Sequence, residues 1–140
     1  RIAVACDLDI AGRPVRAISL HLATSVVTSQ QRLEQAAAVV DSLVAGWTGA
    51  VVLGGDFNSS TTPNIRALRK LYRHRARLLP VYQPSGCTVR WNIGRPLGAG
   101  CRLDHLFLRG LQAGSRGIGR RALASDHYPI WARVGWAANR

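Results

Sequence analysis

Methionine is absent from the 140 residues, lysine occurs once at Lys70, and acidic side chains number only seven. Each shortage narrows the reading. Without methionine, and with a strand-like IAVAC directly after Arg1, the sequence is expected to be a piece of a longer protein. No apolar run approaches the roughly 20 residues of a membrane-spanning helix. The N-terminus also lacks the charged and apolar layout of a secretion signal. Three cysteines, Cys6, Cys87 and Cys101, do not fall at zinc-ligand spacing. There is no internal repeat and no low-complexity linker. With 47% apolar and 19% charged residues, the chain can bury a core and is not expected to be disordered. Its length suits one domain.

The shortage of acids leaves a net charge of +12. Such charge favours a polyanionic partner, nucleic acid or an anionic lipid surface. Arginine supplies nearly all of it, which equally suits coding bias in a GC-rich genome, so charge alone does not choose. Cys87 and Cys101 flank WNIGRPLGAG, which reads as a hairpin loop. They are open to a disulfide in an oxidising compartment or to two reduced core thiols.

Along the chain, apolar runs at 2–7 and 15–22 surround a Gly-Arg-Pro turn and predict a hairpin. In the second run, Ala17, Ser19 and His21 fall on one face, with Ile18, Leu20 and Leu22 on the other. Ser29 is a candidate N-cap for a helix carrying Leu33, Ala36, Ala37, Val40, Leu43 and Val44 at helical spacing and stopping at Gly46. The strand AVVLG follows, then polar SSTTPN and a basic helix, IRALRKLYRHRARLL. Residues 80–86 read as loop. Further strands are predicted at 87–92, 101–109, 118–124 and 129–135, with glycine-rich turns between them. The whole is an α/β layered arrangement.

Chemically able side chains gather at strand ends. In VVLGGDFNSS, an extended backbone would point Asp56 and Asn58 to the same side. In RLDHLFLR, alternation groups Asp104 with Leu106 and Leu108, and His105 with Leu103 and Phe107. A carboxylate in so apolar a strand is costly to bury without a cation, a metal or an imidazolium beside it. Asp126-His127 offers a hard oxygen ligand and a group titrating near neutrality. Taken singly, Asp-x-Asn is more often a turn, and His21 could be a satisfied core histidine. His105 reads as structural, His74 as surface, and Trp91 with Asn92 as residues near the site.

ISLHL, LGGDFNS, RLDHLFL and SDHYPI, in this order across residues 17–131, resemble the endonuclease/exonuclease/phosphatase superfamily. This metal-dependent group includes pancreatic-type deoxyribonuclease, abasic-site endonucleases, inositol polyphosphate phosphatases and neutral sphingomyelinases. The resemblance implies an α/β fold: the second half of a DNase-I-like four-layer sandwich, mostly antiparallel, with helices on one face. It implies His127 as general base, Asp104 holding its other ring nitrogen, and Asp56 orienting water or sharing the metal. Asn58 would donate to a phosphate oxygen, and His21 would act on the transition-state phosphate or the leaving group. Asp126 would be a ligand to Mg²⁺ or Mn²⁺. The implied reaction is hydrolysis of a phosphodiester, with DNA or RNA slightly favoured by the charge. The alternatives are an inositol-phosphate phosphatase, a sphingomyelinase-type phosphodiesterase, or a catalytically dead anion-binding module.

The family domain is about twice as long, and the motifs here all belong to its second half. The first half brings an Asn and a Glu that is the chief Mg²⁺ ligand. No Gln-Glu motif occurs here, and Glu34 is no substitute. Residues 1–140 are therefore expected to be the C-terminal half of the domain, binding metal weakly and close to inactive alone. The N-terminal half is the expected partner, and failing it a homodimer through an exposed apolar sheet face.

Overall fold

The computed structural model describes residues 1–24, 26–83, 86–89, 102–122 and 124–137. Two strands open the chain, β1 (Ile2–Asp9) and β2 (Pro14–His21), paired antiparallel. They are joined by a tight turn in which Ile10 and Arg13 exchange both backbone hydrogen bonds. Ala11 (φ 56°) and Gly12 (φ 74°) are both left-handed, the geometry whose twist matches a hairpin. The turn therefore centres one residue earlier than the Gly-Arg-Pro reading.

A parallel neighbour needs a crossover, and α1 (Ser29–Leu43) supplies it before β3 (Ala50–Asp56) pairs parallel with β2. The N-cap is Thr28, not Ser29. The Thr28 hydroxyl accepts from the Gln31 N–H at 3.2 Å, and the Gln31 side-chain oxygen accepts from the Thr28 N–H at 2.9 Å. This reciprocal pair satisfies two otherwise orphaned groups, which a cap at Ser29 could not do. Arg32, Ala36 and Val40 form the buried stripe. The Arg32 guanidinium donates to the Thr24 and Val27 carbonyls at 2.9 and 2.8 Å, tying the loop after β2 to the helix.

α2 (Thr62–Ala76) starts earlier than predicted because Pro63 stands in its first turn, where no N–H is needed. It ends at Arg77, left-handed at φ 53°. Leu68, Tyr72 and Ala76 are its buried stripe. β4 (Leu79–Pro80) and β5 (Asp104–Arg109) complete a five-stranded sheet ordered β1-β2-β3-β5-β4. All its pairings but β2–β3 are antiparallel.

Both helices contribute to one core with Ile18, Leu20, Val51, Leu53 and Phe107, so they cover the same face of this sheet. At its centre Phe57 meets Tyr72, His105 and Phe107 at ring distances of 5.9, 5.5 and 5.5 Å. The other face carries a shallow apolar groove lined by Val4, Cys6, Ala17, Val52 and Leu106, with Ile130 at its side. Cys6 is a free, exposed thiol.

Two predicted strands need correction. The segment 118–124 is not a strand, for β6 (Leu111–Ile118) comes earlier and pairs with β7 (Ile130–Trp136). The ladder ends at Ile118 opposite Ile130, and Ala122 N–H closes a turn onto the Gly119 carbonyl. Gly119 N–H still reaches the Pro129 carbonyl at 2.8 Å, and among the described residues no ladder continues past it. LQAGSRGI resembles a loop because its glycines break the alternation. The register shifts between Ala113 and Arg116, a bulge that Gly114 accommodates. Of the predicted strand 87–92, the described part makes only an isolated bridge, Val89 to His127. Trp91, Asn92 and the pairing of Cys87 with Cys101 lie outside the described residues.

Candidate active site

Strand register alone sets three of the six candidate residues in a row. His21 is opposite Asp56 in the β2–β3 ladder, and Asp56 is opposite Asp104 in the β3–β5 ladder. The row runs along one rim of the sheet.

The backbone at the centre of the row turns rather than staying extended. Gly55 has φ 140°, and a Cβ there would lie 2.0 Å from the Leu20 carbonyl oxygen, so no side chain fits. Asn58 is left-handed at φ 47°. Asp56 closes this turn by accepting the Asn58 N–H at 2.8 Å and the Asn58 side-chain amide at 3.2 Å. Asp56 and Asn58 do meet, through an Asx turn instead of strand alternation. The Asn58 amide also donates to the Leu22 carbonyl at 3.0 Å. Both of its N–H donors are thus engaged, which differs from the expected donation to a phosphate oxygen. Between them Phe57 is fully buried, so the pair is anchored from below.

His127 reaches the row from the other side of the chain. Its Nδ1 lies 2.9 Å from Asp104 Oδ2. A carboxylate only accepts, so Nδ1 carries the proton and Nε2 is the free nitrogen of the neutral ring. That Nε2 stands 3.9 Å from Asp56 Oδ2, and His21 Nε2 stands 3.6 Å from the same oxygen. These separations exceed a hydrogen bond and suit a bridging water or substrate oxygen.

Thr88, missed as a site residue, assembles this part. It is buried, and its hydroxyl accepts from the backbone N–H groups of Leu103 and Asp104 at 3.0 and 3.2 Å. Its carbonyl accepts from the Tyr128 N–H at 2.7 Å. One residue therefore fixes the start of β5 and the Ser125-Asp126-His127 turn together. Ser125 adds a cap, its hydroxyl accepting from the His127 N–H at 3.0 Å. Its position directly before Asp126-His127 was the visible signal; Thr88 had none.

Electrostatics follow from burial. Burial pushes the Asp104 carboxyl up, opposed by hydrogen bonds with Thr88 and His127. For His127, burial pulls the pKa down. The hydrogen bond with Asp104 and the charges of Asp104, Asp56 and Asp126 together outweigh it, and the imidazole is held above its ordinary value. Asp126 stands exposed beside it. His105, as expected, is structural. It is buried with Nε2 3.2 Å from the Ser59 carbonyl, and burial lowers its pKa and keeps it neutral.

The hard oxygens of Asp56 and Asp126 suit Mg²⁺, which commonly takes one or two carboxylates and keeps waters. Among the described residues no three His, Cys, Asp or Glu side chains gather to hold an ion. Asp56 and Asp126 by themselves would not complete the shell of such an ion.

An α/β sheet backed by helices, with a carboxylate–imidazole rim at its strand ends, is a DNase-I-like architecture. The chain belongs to the Endonuclease/Exonuclease/phosphatase family, whose model matches residues 6–127. It is 29% identical over 122 residues to a UPF0294 protein of Vibrio cholerae, covering 87% of this chain and 40% of that one. A family protein from Leptotrichia buccalis superposes with a TM-score of 0.72 at 17% identity, over 96% of this chain and 54% of that one. D. rerio TDP2 complexed with single strand DNA product gives 0.65 at 17% identity, over 95% of this chain and 61% of that one. The chain therefore spans 40 to 61% of the length of these relatives and covers only part of the family fold.

Proposed function

We propose that these residues form the acid–base rim of a Mg²⁺-dependent phosphodiesterase, with nucleic acid the favoured substrate. The observation that carries this is the row His21–Asp56–Asp104, joined by His127 at 2.9 Å from Asp104. In this reading His127 Nε2 removes a proton from the attacking water, and Asp104 stabilises the imidazolium that results. The water oxygen bonds to phosphorus as the bond to the leaving oxygen breaks. His21, exposed at the other side of Asp56, supplies the proton that the leaving oxygen takes. Asn58 acts through Asp56, holding its carboxylate between the two imidazoles. Bound Mg²⁺, with Asp56 and Asp126 among its ligands, would neutralise phosphate charge.

Net charge of +12 supports a polyanionic substrate, and so does a fold neighbour complexed with single-stranded DNA product. The test is the full-length gene product assayed on plasmid DNA, bis-p-nitrophenyl phosphate and a lipid head-group substrate, with Mg²⁺ and with EDTA. DNA cleavage that EDTA abolishes is expected. Activity indifferent to EDTA would overturn the metal, and hydrolysis of the head-group substrate alone would overturn nucleic acid.

The apolar face opposite the helices is proposed to pack against the remainder of the domain and, in residues 1–140 expressed alone, against a second copy. Sedimentation of this chain as a monomer at high concentration would remove the second arm.

A further inference from the structure

At the end of the sheet opposite the catalytic rim, three guanidinium groups from distant parts of the sequence share one open cleft. Arg13 leaves the β1–β2 turn, Arg77 caps α2, and Arg109 ends β5. They line a cavity of about 860 Å³ together with Thr48, Gly49 and Trp136. None of its lining residues is acidic. The neighbouring carboxylates have partners already. Asp9 accepts the Gly12 N–H at 2.7 Å, and Asp7 holds Arg16 at 2.6 Å.

The three arginines differ in how far they are committed. Arg109 is half-buried and donates to the carbonyls of Trp47 and Gly49. Its guanidinium has five N–H donors, so others remain. Arg13 is exposed, with its guanidinium carbon over the Trp136 ring at 4.2 Å from the centroid, a cation–π contact that helps hold the group in the cleft. Arg77 is exposed and its side chain has no hydrogen bond or ion pair among the described residues. Burial and the like charge of Arg77 both disfavour the charged form of Arg109. A cluster of this kind is held together against repulsion and would be relieved by an anion.

We propose that this cleft is a second, non-catalytic anion site that takes phosphoryl groups, with Arg13 and Arg77 as its binding residues and Arg109 as its floor. Planar guanidinium forks match phosphate oxygens two at a time. The flanking Trp136 offers an apolar wall beside the charges. The β3 strand runs from Ala50 in the cleft to Asp56 in the rim, about 20 Å at the usual rise per residue. The two sites are therefore separate, and this one does not depend on the catalytic reading. The phosphoryl group has two sources, a free phosphate compound or the backbone of a nucleic acid reaching past the active rim.

The experiment titrates the full-length gene product with pyrophosphate by calorimetry, then with a labelled oligothymidylate by anisotropy at low salt. Arg13→Ala and Arg77→Ala, both at exposed positions, should each weaken pyrophosphate about tenfold. The rim variant Asp56→Ala should retain this affinity, and circular dichroism checks that every variant is folded. If the oligonucleotide is the source, the double variant flattens the salt dependence, reducing the slope of log K against log salt by about 1.4. An unchanged slope with weakened pyrophosphate assigns a free phosphate compound. Pyrophosphate affinity that survives both arginine substitutions, or falls equally in Asp56→Ala, overturns the proposal.

Discussion

The two ends of the same three strands carry opposite chemistry. Where β2 and β3 finish and β5 starts, His21, Asp56 and Asp104 form a row of acids and imidazole. Where β2 and β3 start and β5 finishes, Arg13, Gly49 and Arg109 border a cleft without a carboxylate. At the first end each charge has a partner with a fixed geometry: Asp104 with His127, Asp56 with Asn58. At the second, three cations line one cleft with no acidic residue among its lining. A network of hydrogen-bonded charges fixes protonation states and suits proton transfer. A cluster of unbalanced cations suits binding, since its favourable interactions await a ligand. On the two proposals made above, a single sheet would separate chemistry from anion capture by the length of its strands.

The sharpest way to break this contrast is at the base. In the full-length gene product, His127→Ala should lower turnover by about 10³-fold, within the range for lost general-base catalysis. Its circular dichroism spectrum should stay unchanged, and normal rates would remove His127 from the mechanism. Asp104→Asn removes the carboxylate that raises the His127 pKa. In the proposed mechanism the neutral ring is the base, so the wild-type rate should rise with pH through a value above 6.5. In Asp104→Asn that limb should move to lower pH, with turnover down about 10²-fold; an unmoved limb assigns the titration elsewhere.

The same pair makes a stability prediction. The folded state binds the His127 proton more tightly than the unfolded chain does. Its contribution is therefore complete below the unfolded value of 6.5 and is lost as pH rises through the raised folded value. Urea midpoints should fall across that window in the wild type and less in His127→Ala.

Phe57→Ala tests whether the rim depends on the core beneath it. Removing this fully buried ring should cost about 3–5 kcal/mol in urea unfolding. Turnover of the residual folded protein should fall as well, since Asp56 and Asn58 flank it. Full activity in the folded fraction would show that the Asx turn holds itself. The smallest effect is expected far from both ends. Thr28→Ala breaks the capping box and should cost about 1 kcal/mol without altering the pH profile.

Much of this was legible in the sequence, and the misses have identifiable causes. Helix periodicity found Ala36 and Val40 on α1, because the stripe repeats within neighbouring residues. Alternation placed His105 and Asp104 on opposite faces correctly. It failed for LQAGSRGI, where a bulge at Gly114 breaks the period. It failed again in extending a strand through Arg120 and Arg121, where pattern cannot reveal that the partner strand has ended. Thr88 was passed over because a lone threonine has no local signature, and its value lies in three backbone groups brought to it by folding.

Residue types, their order and their local spacing were decided by the chain itself: the four motifs, the basic excess, the helix stripes and the turn-forming glycines. Only tertiary structure decided that His21, Asp56 and Asp104 stand in one row, because that depends on ladder register between strands far apart in sequence. It also decided that Asn58 clamps Asp56, since the left-handed turn follows from Phe57 being drawn into the core. The gathering of Arg13, Arg77 and Arg109 is of the same kind. A hairpin turn, a helix cap and a strand end converge only when strands and helices of matched length are packed in layers.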